Sequence, residues 1–281
     1  MKDIIQQIKE KYKHGEINTK LIFICVAIFI LSSFINFIFF QNRVGNIEDF
    51  FAAKPKIEQF FSQPWGIISY AFFHGSFLHL LLNSLMLYFV GQFFLRYFRK
   101  EDFLTFFLFG SVFGALFFMI FSPLLAYNDG LIGASAAIYS LFFALIAYLP
   151  KNKIQFLFIP INFPLDYVGY ALLAWDILMI IAGDNTGGHI SHIGGAVFGF
   201  LYMKSFEKGS DFLGGIAHFF FSRNKIKTYQ KIKTPPRDDY EFNSQKVEKQ
   251  KKIDGILDKI SRSGYESLTK EEKDFLFNAG K

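Results

Sequence analysis

Six stretches of the chain are apolar over a membrane-spanning length or close to it, falling near 20–40, 77–95, 102–124, 133–149, 164–182 and 189–205. A helix needs ~20 apolar residues to cross a bilayer core, so each stretch predicts a transmembrane helix. Residues 50–75, FFAAKPKIEQFFSQPWGIISYAFFHG, follow a different pattern. They are too apolar for a solvated loop and too broken by Pro55 and Pro64 for a span. An interfacial, partly embedded segment is predicted there, with Trp65 and Tyr70 at headgroup level. Near the C-terminus Ile253, Ile256, Leu257 and Ile260 recur at helical spacing, with Gly264 as a stop. Thr269 and Glu272 then form a capping-box pattern opening a second helix that carries Phe275 and Leu276.

This divides the 281 residues into an N-terminal segment (1–19), a six-helix membrane domain (20–206), a charged linker (207–245) and a helical hairpin (246–281). The predicted fold class is all-α, a polytopic six-helix bundle.

Composition agrees with the pattern. The chain is 52% hydrophobic with 40 Phe, more apolar surface than a soluble domain of this size can hide. Its net charge of +6 does not point to nucleic acid, because the basic residues cluster at the ends of the apolar runs. Lys2, Lys9, Lys11, Lys13 and Lys20 precede the first span. Arg96, Arg99 and Lys100 follow the second, Lys151 and Lys153 the fourth, and Lys204 and Lys208 the sixth. The short loops SPLLAYNDG and AGDNTGG on the other side hold no Lys or Arg. The positive-inside rule therefore predicts that both termini are cytoplasmic and that these two loops face outward. Cys25, the one cysteine, excludes an internal disulfide framework and a cysteine-rich metal site.

Polar groups at membrane depth are costly and mark candidate sites. His79 and Asn83 lie four apart on the second span and share a face. Ser135, with Tyr139 one turn on, opens the fourth span; His192, with Gly195 and Gly199, opens the sixth. All are within the first turns of inward-running spans, hence at similar depth. A serine hydroxyl becomes a nucleophile when a neighbouring base takes its proton, and histidine is the usual base near neutral pH. Acyl transfer also needs donors for an oxyanion, which Asn83, His79 and the Ser135 N–H at a helix start are suited to supply. Packing competes with this reading, since Ala136 and Ser140 form a small-xxx-small pair of the kind helices use in membranes. His74 and His189 read as interfacial and solvated. Asp176, an acid inside the fifth span, has no partner identifiable from sequence; support of the site is one use open to it, and bonding to a neighbouring helix is the expected one. A metal site built from His74, His79, His189 and His192 lacks a supporting carboxylate at suitable spacing and is not predicted.

The segments HGSFLHLLLN (74–83), GASAAIY (133–139) and HIGGAVFG (192–199) resemble, in order and position, those of the rhomboid family of intramembrane serine proteases, bacterial members included. The resemblance covers roughly residues 20–206. It implies Ser135 as nucleophile and His192 as base of a dyad, with His79, Asn83 and the Ser135 N–H as the oxyanion hole. It also implies Tyr139 packed on the base, His74 as a first-loop histidine, Gly133 in the serine motif, and Gly195 and Gly199 at the contact of the sixth span with the fourth. The implied partners are lipid and the transmembrane segments of membrane-protein substrates entering laterally past the fifth span, with no nucleic acid and no cofactor. The implied location is the bacterial inner membrane, with the site open to the outer face. Two residues depart from the family pattern: Ala136 stands where a glycine is usual, and Gly66 follows Trp65 where many members carry arginine. A catalytically inactive, client-binding rhomboid-like protein is the alternative, and a small transporter is a third reading.

Overall fold

The computed structural model describes residues 2–40, 45–155, 162–210 and 213, and near the C-terminus 253–256, 258–260, 262, 264, 267–269, 272 and 275. The chain forms two compact units, residues 1–150 with 164–227 and residues 151–163 with 228–281.

In the first unit α1 (Lys2–His14) leads into α2 (Ile17–Phe39). The short helices α3 (Ile47–Phe51), α4 (Ile57–Ser62) and α5 (Gly66–Ser69) and a 3-10 turn at Tyr70–Phe72 follow. Five longer helices complete it: α6 (Phe77–Leu95), α7 (Lys100–Phe121), α8 (Ser135–Tyr148), α9 (Leu165–Ala182) and α10 (Thr186–Glu207). All six predicted spans are helices. The third begins and ends earlier than its apolar run, its start fixed by a capping interaction of Asp102 with Arg99 and its end set before Pro123, which enters a 3-10 turn. The sixth extends beyond 189–205 at both ends. A short pairing of β1 (Lys153–Gln155) with β2 (Asn162–Pro164) is the exception to the all-α expectation.

Helices α2, α6, α7 and α9 are each long and apolar enough to cross a membrane. They turn large apolar side chains outward, among them Phe34 and Phe37 on α2, Leu78 and Leu82 on α6 and Trp175 and Ile181 on α9. Surface of that kind requires lipid around it, and the protein is an integral membrane protein.

Helix α8 is built differently. Its 14 residues span about 21 Å, well short of the ~30 Å hydrocarbon core. Every residue on it except Ser135, Tyr139 and Tyr148 is buried, because α6, α7, α9 and α10 all pack against it. Such a helix needs no lipid-facing side and can start within the thickness of the bundle. Its far end is fastened by Lys204, whose Nζ donates to the Ala147 carbonyl at 2.6 Å.

Contact between α8 and α10 is close because small residues meet on both sides. A Cβ built on Gly195 or Gly199 would lie 2.1 Å from the carbonyl oxygen of Ala136 or Ser140, respectively. The Ser140 hydroxyl donates across to the Phe106 carbonyl of α7 at 2.8 Å. The small-xxx-small pair is thus a packing device, with Ser135 placed one residue before it.

Residues 50–75 are more deeply integrated than an interfacial segment. Ala53 and Leu131 exchange two backbone hydrogen bonds, tying this loop to the strand-like stretch ahead of α8. Gly66 stands where any side chain would strike the Ala52 carbonyl, at 2.5 Å from a built Cβ. Trp65 is partly exposed and donates its indole N–H to the Phe50 carbonyl at 2.7 Å. Tyr70, expected at headgroup level, is instead wholly buried, with its hydroxyl donating to the Ser111 carbonyl of α7 at 2.8 Å. Its ring packs with Ala53, Ala115, Phe118 and Leu131. Tyr70→Phe keeps that packing and removes the hydrogen bond. It is expected to lower stability by about 1 kcal/mol in a thermal melt of the detergent-solubilised protein.

In the second unit, residues 253–256 and 258–260 are helical. The predicted capping box is present: Thr269 Oγ1 accepts from the Glu272 N–H at 3.2 Å and Glu272 Oε2 accepts from the Thr269 N–H at 2.8 Å. Glu272 also pairs with Lys259, and that hydrogen-bonded cation holds its carboxyl below the usual carboxylate range. The predicted linker from residue 214 to 245 and Leu257 and Leu276 of the hairpin lie outside the described residues.

Candidate active site

Ser135 is the first residue of α8 and is half-buried. The chain reaches it through Gly133, whose φ of +120° favours glycine and whose N–H donates to the Tyr70 carbonyl at 2.9 Å. A side chain at 133 would also collide with the His79 ring, since a built Cβ lies 2.6 Å from His79 Nε2. Gly133 therefore lets the His79 imidazole lie directly against the approach to Ser135. His79 stands three residues beyond the N-cap Ser76, whose hydroxyl accepts from its N–H at 3.2 Å.

Asn83, one turn along α6, is buried. One of its amide N–H groups donates to the His79 carbonyl at 2.9 Å, and its buried Oδ1 has no hydrogen-bond partner among the described residues. The amide thus backs the His79 turn and keeps a second N–H for another acceptor.

His192 lies on the second turn of α10, held on two sides. Tyr139 stacks on its face, with centroids 4.3 Å apart and planes 17° apart. On its edge, Nδ1 is 2.8 Å from Oδ1 of Asp176 on α9. Gly195, three residues further on, meets the Ala136 backbone next to Ser135. Ser135 and His192 therefore flank one helix contact, although no hydrogen bond joins them among the described residues. Such contacts are often long before substrate binds and tighten in the complex.

Asp176 is the residue whose place sequence reasoning did not find. It is fully buried, and the same Oδ1 also lies 2.7 Å from Nδ1 of His189. Its partner is a neighbouring helix, as expected, but the groups engaged there are the candidate base and a second histidine. A signal was present: Gly183, Asp184 and Asn185 form a tight turn between α9 and α10, so positions 176 and 192, each eight residues from Asp184, face one another across an antiparallel pair. Both lie about 9 Å along their helices from the turn.

Two of the histidines expected at the interface are inside the protein. His74 is 1% exposed and packed edge-to-face on His79 at 5.1 Å, with no well-formed hydrogen bond at either ring nitrogen among the described residues. His189 is bonded to Asp176 rather than solvated. The four-histidine metal reading gains no support from this arrangement. Asp176, His189 and His192 do offer three ligand atoms within 4.8 Å of one another. Two nitrogens 2.7 and 2.8 Å from one oxygen are at hydrogen-bond spacing, closer than the ~3.3 Å separating ligands around a tetrahedral zinc.

The rhomboid domain family matches residues 62–207, and a family of unknown function (DUF6576) matches residues 238–278. Presenilin-associated rhomboid-like protein A, mitochondrial, of Danio rerio is 28% identical over 134 residues, which is 47% of this chain and 35% of that protein. Presenilin-associated rhomboid-like proteins, mitochondrial, of Bos taurus and Mus musculus are each 25% identical over 133 residues, with the same shares. The chain thus spans 35% of the length of these curated relatives. They are mitochondrial by name, so the expected bacterial inner membrane finds no support among them.

Proposed function

The chain belongs to the rhomboid family, and on that premise we propose that it is an intramembrane serine endopeptidase acting on the transmembrane segments of other membrane proteins. The observation that carries this reading is the fixing of His192 between Tyr139 and Asp176, on a helix packed against the one that Ser135 opens. Nothing in packing alone asks for an imidazole held by face and edge beside a serine at a helix start.

In the proposed reaction His192 Nε2 takes the Ser135 hydroxyl proton as Oγ attacks the scissile carbonyl. Negative charge then develops on the carbonyl oxygen, near the positive end of the α8 dipole and the free Ser135 N–H. His79, whose ring lies against Gly133, and the second amide N–H of Asn83 are proposed as the further donors. Collapse breaks the C–N bond, and the imidazolium returns its proton to the leaving amine. Water, deprotonated by the same ring, then attacks the acyl-enzyme, and the proton passes back to Ser135. Substrates enter past α9, whose outward face is apolar and exposed. The distribution of Lys and Arg supports placing this end of the bundle on the non-cytoplasmic side.

A specific observation favours a second reading, a client-binding protein without protease activity: Ser135 and His192 share no hydrogen bond, and the relatives are named only as rhomboid-like. Reconstitution in proteoliposomes with a quenched-fluorophore transmembrane peptide containing a glycine-alanine turn separates the two. Endopeptidase activity predicts two fragments cut within the apolar segment by mass spectrometry. Saturable binding of intact peptide would establish the second reading.

A further inference from the structure

The Ser–His dyad implied by the family leaves the acid of the fifth span without a task. A carboxylate buried this completely is strongly unfavourable unless donors compensate it. Here Asp176 Oδ1 faces Nδ1 of both His189 and His192, at 2.7 and 2.8 Å. An ionised carboxylate oxygen only accepts, so beside an ionised Asp176 each ring donates from Nδ1. A neutral imidazole protonated on Nδ1 presents a lone pair on Nε2. Tyr139 fixes the plane of the His192 ring. The His189 ring stands at 84° to His192, so the two rings approach one oxygen from different directions.

We propose that Asp176 is a positioning residue that works through His192: it holds the ring by Nδ1 in the tautomer whose Nε2 is free to take the Ser135 proton, and His189 anchors the carboxylate by donating to the same oxygen. This rests on the protease reading for its purpose, but its geometry stands apart from activity. When His192 gains a proton from Ser135, Asp176 faces the resulting imidazolium with a full negative charge and no proton needs to move onto the carboxylate. The arrangement has the logic of a three-residue serine-protease site with the acid supplied by α9, the helix past which substrates are proposed to enter. Movement of α9 during entry would then be felt at the base through a single hydrogen bond.

The test is nitrogen NMR of histidine-labelled protein in detergent, paired with peptide-cleavage kinetics in proteoliposomes. Wild type is expected to show His192 as the Nδ1–H tautomer. Asp176→Asn is expected to mix the tautomers and lower kcat roughly 10²- to 10⁴-fold, with KM changed by less than about threefold. Asp176→Glu is expected to restore part of the Nδ1–H population and part of kcat. A purely structural acid would alter melting without selecting a tautomer. An Nε2–H tautomer at His192 in wild type, or Asp176→Asn retaining wild-type kcat, would overturn the proposal. Wild type that shows the expected tautomer and loses it in Asp176→Asn while cleaving no peptide would uphold the positioning and count against the protease reading alone.

Discussion

Gly195→Val and Gly199→Val are each expected to leave little or no folded membrane domain, because neither helix at that contact has room to yield. The first atom of any side chain at these positions would sit 2.1 Å from a carbonyl oxygen of α8. The obstacle is backbone, and it belongs to a helix buried from Ala136 to Ala147 apart from Tyr139. Separating α8 from α10 would open their whole shared face and detach His192 from Tyr139 at the same time. Overpacking of a closed core costs ~1–3 kcal/mol when side chains can adjust, and a rigid backbone obstacle places these variants at or beyond the upper end. Size-exclusion profiles and thermal melts in detergent measure this. Gly255→Ala is the control: no atom of a described residue lies within 4 Å of its built Cβ, and alanine favours the helix there. It is expected to be neutral or slightly stabilising.

The other large effect concerns chemistry rather than folding. Ser135→Ala and His192→Ala are each expected to reduce peptide cleavage by at least about 10³-fold, and the double variant is expected to be no worse than either single one. Non-additivity follows because the base has no task without the nucleophile, and the nucleophile is not activated without the base. Melting separates this from damage to the core. The Ser135 hydroxyl makes no hydrogen bond among the described residues, so Ser135→Ala is expected to melt within about 0.5 kcal/mol of wild type. Ser140→Ala removes the buried bond to the Phe106 carbonyl and is expected to melt lower by about 1 kcal/mol with activity largely kept. Two serines five residues apart on one helix thus carry opposite signatures.

The spans were legible because apolar run length and helix length obey the same constraint. The second was predicted at 77–95 and is Phe77–Leu95; the fifth was predicted at 164–182 and is Leu165–Ala182. Ser135 was also readable as a helix start, since the turn-forming AYNDG and the flexible Gly133 precede it. The first loop was harder. Hydropathy recorded that residues 50–75 were unsuited to water, but what covers them is α7 and the Leu131 stretch, which lie far away in sequence. Tyr70 shows the difficulty: an aromatic with a hydroxyl suits a headgroup region and a buried bond to Ser111 equally well. Asp176 was left without a named partner for another reason. Helical spacing assigns a residue to a face of its own helix and says nothing about the neighbour on that face, and the mirror relation across the Asp184 turn was left unused.

Ser135 is proposed to be an activated nucleophile, and covalent capture tests this on the folded protein. Folded wild-type protein in detergent is treated with a fluorophosphonate and the adduct is mapped by peptide mass spectrometry. A single phosphonylated residue, Ser135, is expected, with no label on Ser135→Ala and little on His192→Ala. Folded wild type that takes no label, or carries it on another serine, would contradict it.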